Sequence, residues 1–330
     1  MRNAAESGRA IRRIRRIGRI RPIWLAAAVL LLAGCGSEAP PAKVRLFHAA
    51  GFTPVLDALR ADAGARNFEL EAEGSGSQMA CRKITELGRR CDLVVLADRE
   101  LVAEMLGGVC SWRLDFATDE MVLAVGARAP NSELAERDWP AALLADGVRL
   151  GRADENLAPV GYRTLLVWKL REAHGGPAGL ADRLRARCTK VLDDVGRLIP
   201  LLQNGEIDYA FVYRSTCIAQ GVRFIALDKA VNLGSADVDY SGAQVTFEKL
   251  RAGAKETVTV RGEPICWTLT IPDGATGAQA AGRFASWLLA EKADVLKRNG
   301  LRPLSPALLY GPAEKAGPFG SLARRAGDLK

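Results

Sequence analysis

The sequence predicts an α/β fold in which short strands and amphipathic helices alternate along the chain. Three observations carry this. Apolar runs of strand length are followed by runs with helical spacing, a switch of period between 2 and 3.6 that marks βαβ units and a mainly parallel sheet. The set occurs twice, so the later elements can form a sheet of their own. The chain has 330 residues, 48% hydrophobic and 25% charged, an ordinary globular composition with enough length for two cores.

Residues 1–34 stand apart from this pattern. "MRNAAESGRAIRRIRRIGRIRP" is cationic, and the apolar "IWLAAAVLLLA" that follows has 11 residues, the length of a signal h-region and too short to span a bilayer. It ends in "LLAGCGS", which resembles the lipobox of bacterial lipoproteins, with Cys35 as the residue that would be diacylated. The leader holds eight arginines and one glutamate, seven of the net +8, which leaves +1 for the remainder. No basic stripe survives its removal, which excludes nucleic acid as a partner. Residues 35–42 read as a tether and 311–330, rich in small, charged and proline residues, as a loose C-terminal tail.

Six further cysteines, Cys81, Cys91, Cys110, Cys188, Cys217 and Cys266, suit an exported protein, in which two or three disulfides are expected without their pairing being readable. Buried thiols are the other reading. There is no CxxC pair and only two histidines, His48 and His174, a poor set for structural zinc.

The elements follow in order. "KVRLFHAA", "FELEAEG" and "CDLVVLAD" read as strands, each followed by a helix in "FTPVLDALRADAG", "QMACRKITELGRR" and "RELVAEMLGG". The second set has strands in "EMVLAVG", "VRLGRAD" and "IDYAFVYRS" and helices in "WPAALLADG", "GYRTLLVWKLREAHG" and "VGRLIPLLQNG". After "VRFIALD" come a strand pattern, "ETVTVRGEPICWTLTIP", and two helices in "GAQAAGRFASWLLAEKADVLKRNG" that pack back on a sheet.

In such sheets ligands bind where strand ends meet helix starts. Four joints stand out: residues 48–54, 73–78, 153–163 and 211–216. At the second, Gly74 and Gly76 permit close backbone approach, while Ser75 and Ser77 supply hydroxyls where a helix exposes unpaired N–H groups, a seat for an anion as well as an ordinary cap. "GSGS" lacks the third glycine of a dinucleotide fingerprint. The third joint sets Pro159 and Gly161 before a helix that starts with Tyr162; the fourth ends the strand "YAFVY" at Tyr213.

Taken together, "GSGSQMACRKITELGRRCDLVVLAD", "ATDEMVLAVG", "ENLAPVGYRTL", "NGEIDYAFVYRS" and "GEPICWTLTIP" resemble the periplasmic molybdate/tungstate-binding proteins of ABC importers, closest to the tungstate-binding branch. The resemblance covers about residues 43–310. It implies a type 2 periplasmic-binding-protein fold, two α/β lobes joined by two crossovers: lobe 1 from 43–117 and 227–310, lobe 2 from 118–226. It also implies an oxyanion ligand, an ABC permease as partner, a monomer in the periplasm, and neither cofactor nor resident metal, while the lipobox-like segment implies a membrane anchor through Cys35. The ligand-binding residues it implies are Gly51, Thr53, Ser75, Gly76, Ser77, Asp154, Gly161, Tyr162 and Tyr213. Closure of the lobes would present the loaded shape to the permease.

The chain also departs from that pattern. Ala49-Ala50-Gly51-Phe52 stands where the tungstate branch has a serine, with Thr53 as its substitute, and Leu157, Ala158 and Val212 stand where relatives carry acidic residues. The site then holds its oxyanion by hydrogen bonds alone, or it takes another ligand. No G-x-S-x-G or comparable catalytic motif is present and His48 lies in an apolar strand end, so no enzymatic activity is expected. A thiol-based metal-handling or redox lipoprotein, and a ligand-sensing lipoprotein that feeds no transporter, are the alternative functions.

Overall fold

The alternation at the start of the chain folds into a parallel βαβαβ unit. The computed structural model describes residues 40–251 and 254–329; the leader, Cys35 and most of the expected tether lie outside them. Strand β1 (Ala42–Ala49) pairs in parallel with β2 (Phe68–Ser75) and β3 (Leu93–Leu96), and helices α1 (Thr53–Ala65) and α2 (Ser77–Thr85) make the crossovers. All four residues of β3, "LVVL", are buried, as expected of a strand covered on both faces. Helix α3 (Glu100–Leu106) leads into β4 (Arg113–Thr118), after which the chain leaves this sheet.

The second sheet begins with β5 (Met121–Val125) and continues through α4 (Ser132–Leu144), β6 (Leu150–Ala153), α5 (Pro159–Ala173), α6 (Leu180–Arg187), β7 (Cys188–Leu192), α7 (Val195–Gln203), β8 (Tyr209–Tyr213), α8 (Arg214–Gln220) and β9 (Phe224–Ala226). Its order is β7-β6-β8-β5-β9, with β6 parallel to β7 and β8 and with β5 antiparallel to β8 and β9. The chain then returns through the hairpin β10 (Gln244–Arg251) and β11 (Ala254–Arg261) to β12 (Cys266–Thr270), helices α9 (Ala278–Glu291) and α10 (Ala293–Arg298), β13 (Arg302–Tyr310) and β14 (Ala323–Gly327). The first sheet is thereby completed as β14-β13-β4-β12-β3-β1-β2. Both sheets are mixed: β5 and β12, the strands by which the chain enters each lobe after a crossing, run antiparallel to their neighbours.

Two expectations are corrected. The stretch expected as a loose tail, 311–330, is structured over residues 311–329: a 3-10 helix (Ala313–Leu322) leads into β14, which pairs in parallel with β13. The physical reason is that Phe319 is buried with its ring centroid 5.8 Å from that of Trp112, and that β14 covers a sheet edge otherwise left open. None of the six cysteines forms a disulfide. Cys81, Cys91 and Cys110 pack as small apolar side chains in one cluster with Val94, Leu96 and Leu106. Burial pushes the Cys91 thiol up to about 11 and those of Cys110 and Cys217 up to about 12, far from the thiolate that metal handling or disulfide exchange requires.

The first crossing turns on Asp119, which is fully buried. Its carboxylate accepts hydrogen bonds from the Ser215 hydroxyl, from the backbone N–H of Glu120 (2.9 Å) and Ser215 (3.3 Å), and from Trp267 Nε1 (3.2 Å). It thus ties β12 of one sheet to α8 of the other. Burial raises its pKa to about 6 in spite of these bonds. The folded protein therefore holds this proton more tightly than the unfolded chain, so the contribution of Asp119 to stability grows as pH falls from 6 toward 4 and is lost on the way back up. Glu73, held down at about 2 by Arg89 and Lys83, works in the opposite sense only below its unfolded value near 4.5. Asp119→Asn is expected to flatten the pH slope of denaturant-measured stability between pH 6.5 and 4.5. The slope removed is up to about 1.4 kcal/mol per pH unit; an unchanged slope would refute the assignment.

Candidate ligand site between the lobes

The strand ends of both sheets deliver helix N-termini to one cleft. α2 begins after Gly76 and α5 after Ala158, and neither start has a side-chain cap. The first-turn N–H groups of α2 and the Val160 N–H of α5 therefore lack an internal acceptor and lie at the positive end of the helix dipole, whereas Pro159 has no N–H and Gly161 donates to the Ala158 carbonyl at 2.9 Å. The two starts touch across the lobes: a Cβ added at Gly76 would lie 2.0 Å from the Leu157 carbonyl oxygen and 3.3 Å from Ala158 Cβ. α1 also starts uncapped, after the 3-10 turn Ala50–Phe52, and faces α7, whose start is capped by Asp194. A Cβ at Gly196 would lie 3.7 Å from Ala50 Cβ. Helix starts from both lobes thus point into a narrow space, an arrangement that favours negative charge between them.

Beside this contact, a buried polar network joins the lobes. Arg163, second after Gly161 in α5, is 2% exposed and donates to the Ala97 carbonyl and, at 2.8 Å, to the Tyr213 hydroxyl, with Asp98 at 3.5 Å. Tyr162 donates to the Asp98 carboxylate, and Gln78 Nε2 donates to the Glu155 carbonyl at 3.1 Å. Burial opposes the Arg163 charge, but Tyr213 and Asp98 outweigh it and hold the guanidinium protonated. Burial pushes the Tyr213 phenol up to about 12, so it remains neutral and accepts from Arg163.

The predicted residues divide into three groups. Ser75 and Gly76 lie at the interlobe contact, with Ser75 Oγ accepting from Lys83 at 3.0 Å. Ser77 and Tyr162 bond directly to Ala97–Asp98, the Ser77 hydroxyl accepting from the Ala97 N–H at 3.2 Å, while Tyr213 joins the same network through Arg163. The remaining four shape the loops. Gly51 packs with its Cα side toward Trp267 and Thr216; exposed Thr53 lies beside Gly74; Asp154 accepts from the Asn156 N–H at 2.7 Å; and Gly161 packs against the Asp154 carbonyl. His48 is buried, with Nδ1 donating to the Ala49 carbonyl at 2.9 Å. Burial lowers its pKa, which keeps it neutral. Val212 sits fully buried in β8 opposite Val122.

Lys83 and Arg163 belong to the motifs that carry the resemblance, but neither they nor Asp98 and Thr216 were expected among the site residues. Asp98 lies at a fifth strand-to-helix joint, after "LVVLA", and that position was the available signal. Nothing in the sequence shows that Arg163 turns inward rather than to solvent.

Two cavities lie between elements of the two lobes, and they differ in charge as well as in size. One of about 310 Å³ lies under the β10–β11 hairpin, where Phe247 stacks on Tyr162 at 6.0 Å. Its walls carry Asp98, Glu100, Glu104 and Glu263 against one cation, Arg261, an acidic balance unsuited to an anion. The other, of about 100 Å³, lies between Ala50, Gly51 and Pro54 of one lobe and Val195, Gly196 and Thr216 of the other. Its Thr216 hydroxyl is buried and has no hydrogen-bond partner among the described residues.

Known proteins share this architecture. A solute-binding protein of Petrotoga mobilis is 30% identical over 239 residues, spanning 71% of this chain and 74% of its own. The molybdate/tungstate-binding protein WtpA of Pyrococcus abyssi is 27% identical over 327 residues, spanning 86% of this chain and 93% of its own. The periplasmic molybdate-binding protein of Azotobacter vinelandii superposes with a TM-score of 0.57 at 18% identity, covering 78% of this chain and 98% of its own. Peb3 from Campylobacter jejuni does so at 0.52 and 11%, covering 78% and 99%. The two superpositions identify the fold as the two-lobed type 2 periplasmic-binding architecture. Residues 44–302 match the profile of the bacterial extracellular solute-binding proteins, and with two sheets, a cleft between them and this match over most of its length, the chain belongs to that family.

Proposed function

We propose that the protein captures a tetrahedral oxyanion, molybdate or tungstate, between its lobes outside the cytoplasm and delivers it to an ABC importer. One observation carries this reading: the uncapped starts of α2 and α5 face each other across the lobes at Gly76 and Leu157. Two positive dipole ends brought this close repel one another, and an anion seated beside their contact turns that repulsion into attraction on both sides. The seat we propose is bounded by Gly51 and Thr53, by Ser75–Ser77, by the loop before α5, and by the start of α7 with the Thr216 hydroxyl. Neutral hydroxyls and amides suit a buried dianion, because they replace its water without adding a charge that would tie it to one orientation.

The relatives support the ligand class, since the Pyrococcus abyssi protein is named for molybdate and tungstate and the Azotobacter vinelandii protein for molybdate. With Val212, Leu157 and Ala158 in place of carboxylates, the oxyanion is held by hydrogen bonds rather than by a carboxylate-completed coordination sphere. The role is binding, not catalysis. Lobe 1 comprises 43–117 with 227–310 and lobe 2 comprises 118–226, and Cys35 carries a lipid that holds the protein at the membrane. The described residues contain no helix long and apolar enough to cross a membrane.

Thermal melting against molybdate, tungstate, sulfate and phosphate, with a chelator control, tests the reading. A ligand that binds only the folded state, at about 100 times its Kd, adds roughly 2.7 kcal/mol and raises Tm by a few degrees. The expected shift is confined to molybdate and tungstate. No shift with any oxyanion would mean that the fold serves another ligand.

A further inference from the structure

We infer that Lys83 orients the Ser75 hydroxyl as a donor to the bound oxyanion, an inference that rests on the reading just given. Lys83 lies two turns into α2, where side chains lean back toward the helix start. It is 7% exposed, and its ammonium lies 2.8 Å from Glu73 Oε1, donates to Ser75 Oγ at 3.0 Å and stands 5.6 Å from the centre of the Phe47 ring. Glu73 also receives both arms of Arg89, at 3.0 and 2.6 Å. One carboxylate is thus shared by two cations, and the group keeps a net positive charge behind the loop that opens α2.

The hydrogen-bonding inventory of these groups decides what Ser75 can do. An ammonium carries donors only, so Ser75 Oγ accepts from Lys83 and must turn its own hydrogen elsewhere. The acceptor it finds within the protein is the Gly76 carbonyl at 3.4 Å, long against the usual ~2.7–2.8 Å for O–H···O. An oxyanion oxygen at the start of α2 offers a stronger acceptor at better distance. A hydroxyl already accepting from a cation is also the better donor, because the two bonds polarise each other. Lys83 therefore acts through Ser75 as a positioning residue, and its charge reaches the ligand without touching it.

Titration calorimetry of the purified full-length protein with tungstate tests this by a double-mutant cycle. Lys83→Met and Ser75→Ala are each expected to weaken binding about tenfold, and the double variant to be no weaker than the poorer single one, because both remove the same contact. Lys83→Arg, which keeps a donor and the charge, should restore affinity to within about threefold. Ser75→Ala leaves the Arg89–Glu73–Lys83 group intact, so its effect is readable whatever Lys83→Met does to folding. Unchanged affinity in Lys83→Met, an additive loss of about a hundredfold in the double variant, or a folded Lys83→Arg as weak as Lys83→Met would overturn the inference alone. A wild-type protein that binds neither tungstate nor molybdate would overturn the oxyanion reading, and this inference with it.

Discussion

Gly76→Ala is expected to leave the protein folded but unable to close on a ligand, lowering oxyanion affinity a hundredfold or more. Gly76 has φ −59° and ψ 146°, an extended conformation that any residue adopts, so alanine costs nothing locally when the lobes are apart. The obstacle is the other lobe: the new methyl carbon would lie 2.0 Å from the Leu157 carbonyl oxygen. The clash is with backbone at the start of α5, not with the far end of a flexible side chain, so opening the cleft relieves it more cheaply than local adjustment. Calorimetry reads the lost affinity, and small-angle scattering reads a radius of gyration that no longer contracts on adding tungstate. Gly108→Ala, where an added Cβ meets nothing within 4 Å, is the control and should bind normally. A Gly76→Ala protein that binds as well as wild type would show that ligand capture does not need this contact.

Arg163→Met is expected to be the most destabilising single change at the site. The guanidinium is the cation beside buried Asp98 and also satisfies the Ala97 carbonyl and the Tyr213 hydroxyl. Removing one partner of a buried ion pair typically costs about 3–5 kcal/mol, because the other charge is left without compensation. In a chain of this size that corresponds to a fall in Tm of order 10 °C. Arg163→Lys should recover only part of it, since an ammonium cannot reproduce a planar fork that serves a carbonyl, a phenol and a carboxylate together. Arg163→Met with Asp98→Asn should lie closer to wild type than Arg163→Met alone, because the stranded charge is gone. A single variant melting within 2–3 °C of wild type would mean that Asp98 finds another partner.

The two variants separate the tasks of the interlobe surface. Gly76 governs how closely the lobes approach, and Arg163 governs how the approach is held together. Tyr162, Tyr213 and Ser77 belong with Arg163, since Tyr162 and Ser77 bond to Asp98 and Ala97 and Tyr213 bonds to Arg163 itself, whereas Ser75, with the Lys83 ammonium reaching back to it, lies at the α2 start where the ligand is proposed to sit.

The sequence by itself determined the α/β class, the order of the strands β1, β2, β3, β5, β6, β8 and β9, and the loops at which the lobes meet. Those features rest on local periodicity and on the position of glycine, proline and serine at strand ends, which nearest neighbours in the chain decide. It did not reveal β4, β7, β10, β13 or β14. "RLDFAT" and "CTKVL" mix charge with apolar residues, and β14, "ARRAG", becomes a strand only because β13 offers it an edge. The unbridged cysteines, likewise, follow from packing: sequence counts six, and only tertiary placement decides that none is bridged and that Cys81, Cys91 and Cys110 sit as apolar fillers.

The site shows the same division. Helix starts rich in small residues were legible, because the N–H groups they expose are a property of the helix itself. The inward turn of Arg163, its partner Asp98 sixty-odd residues upstream and the contact of Gly76 with Leu157 are long-range facts. Only the closing of two lobes, which brings residues from separate sheets within hydrogen-bond distance and takes them out of water, makes an arginine a clasp and a glycine a requirement.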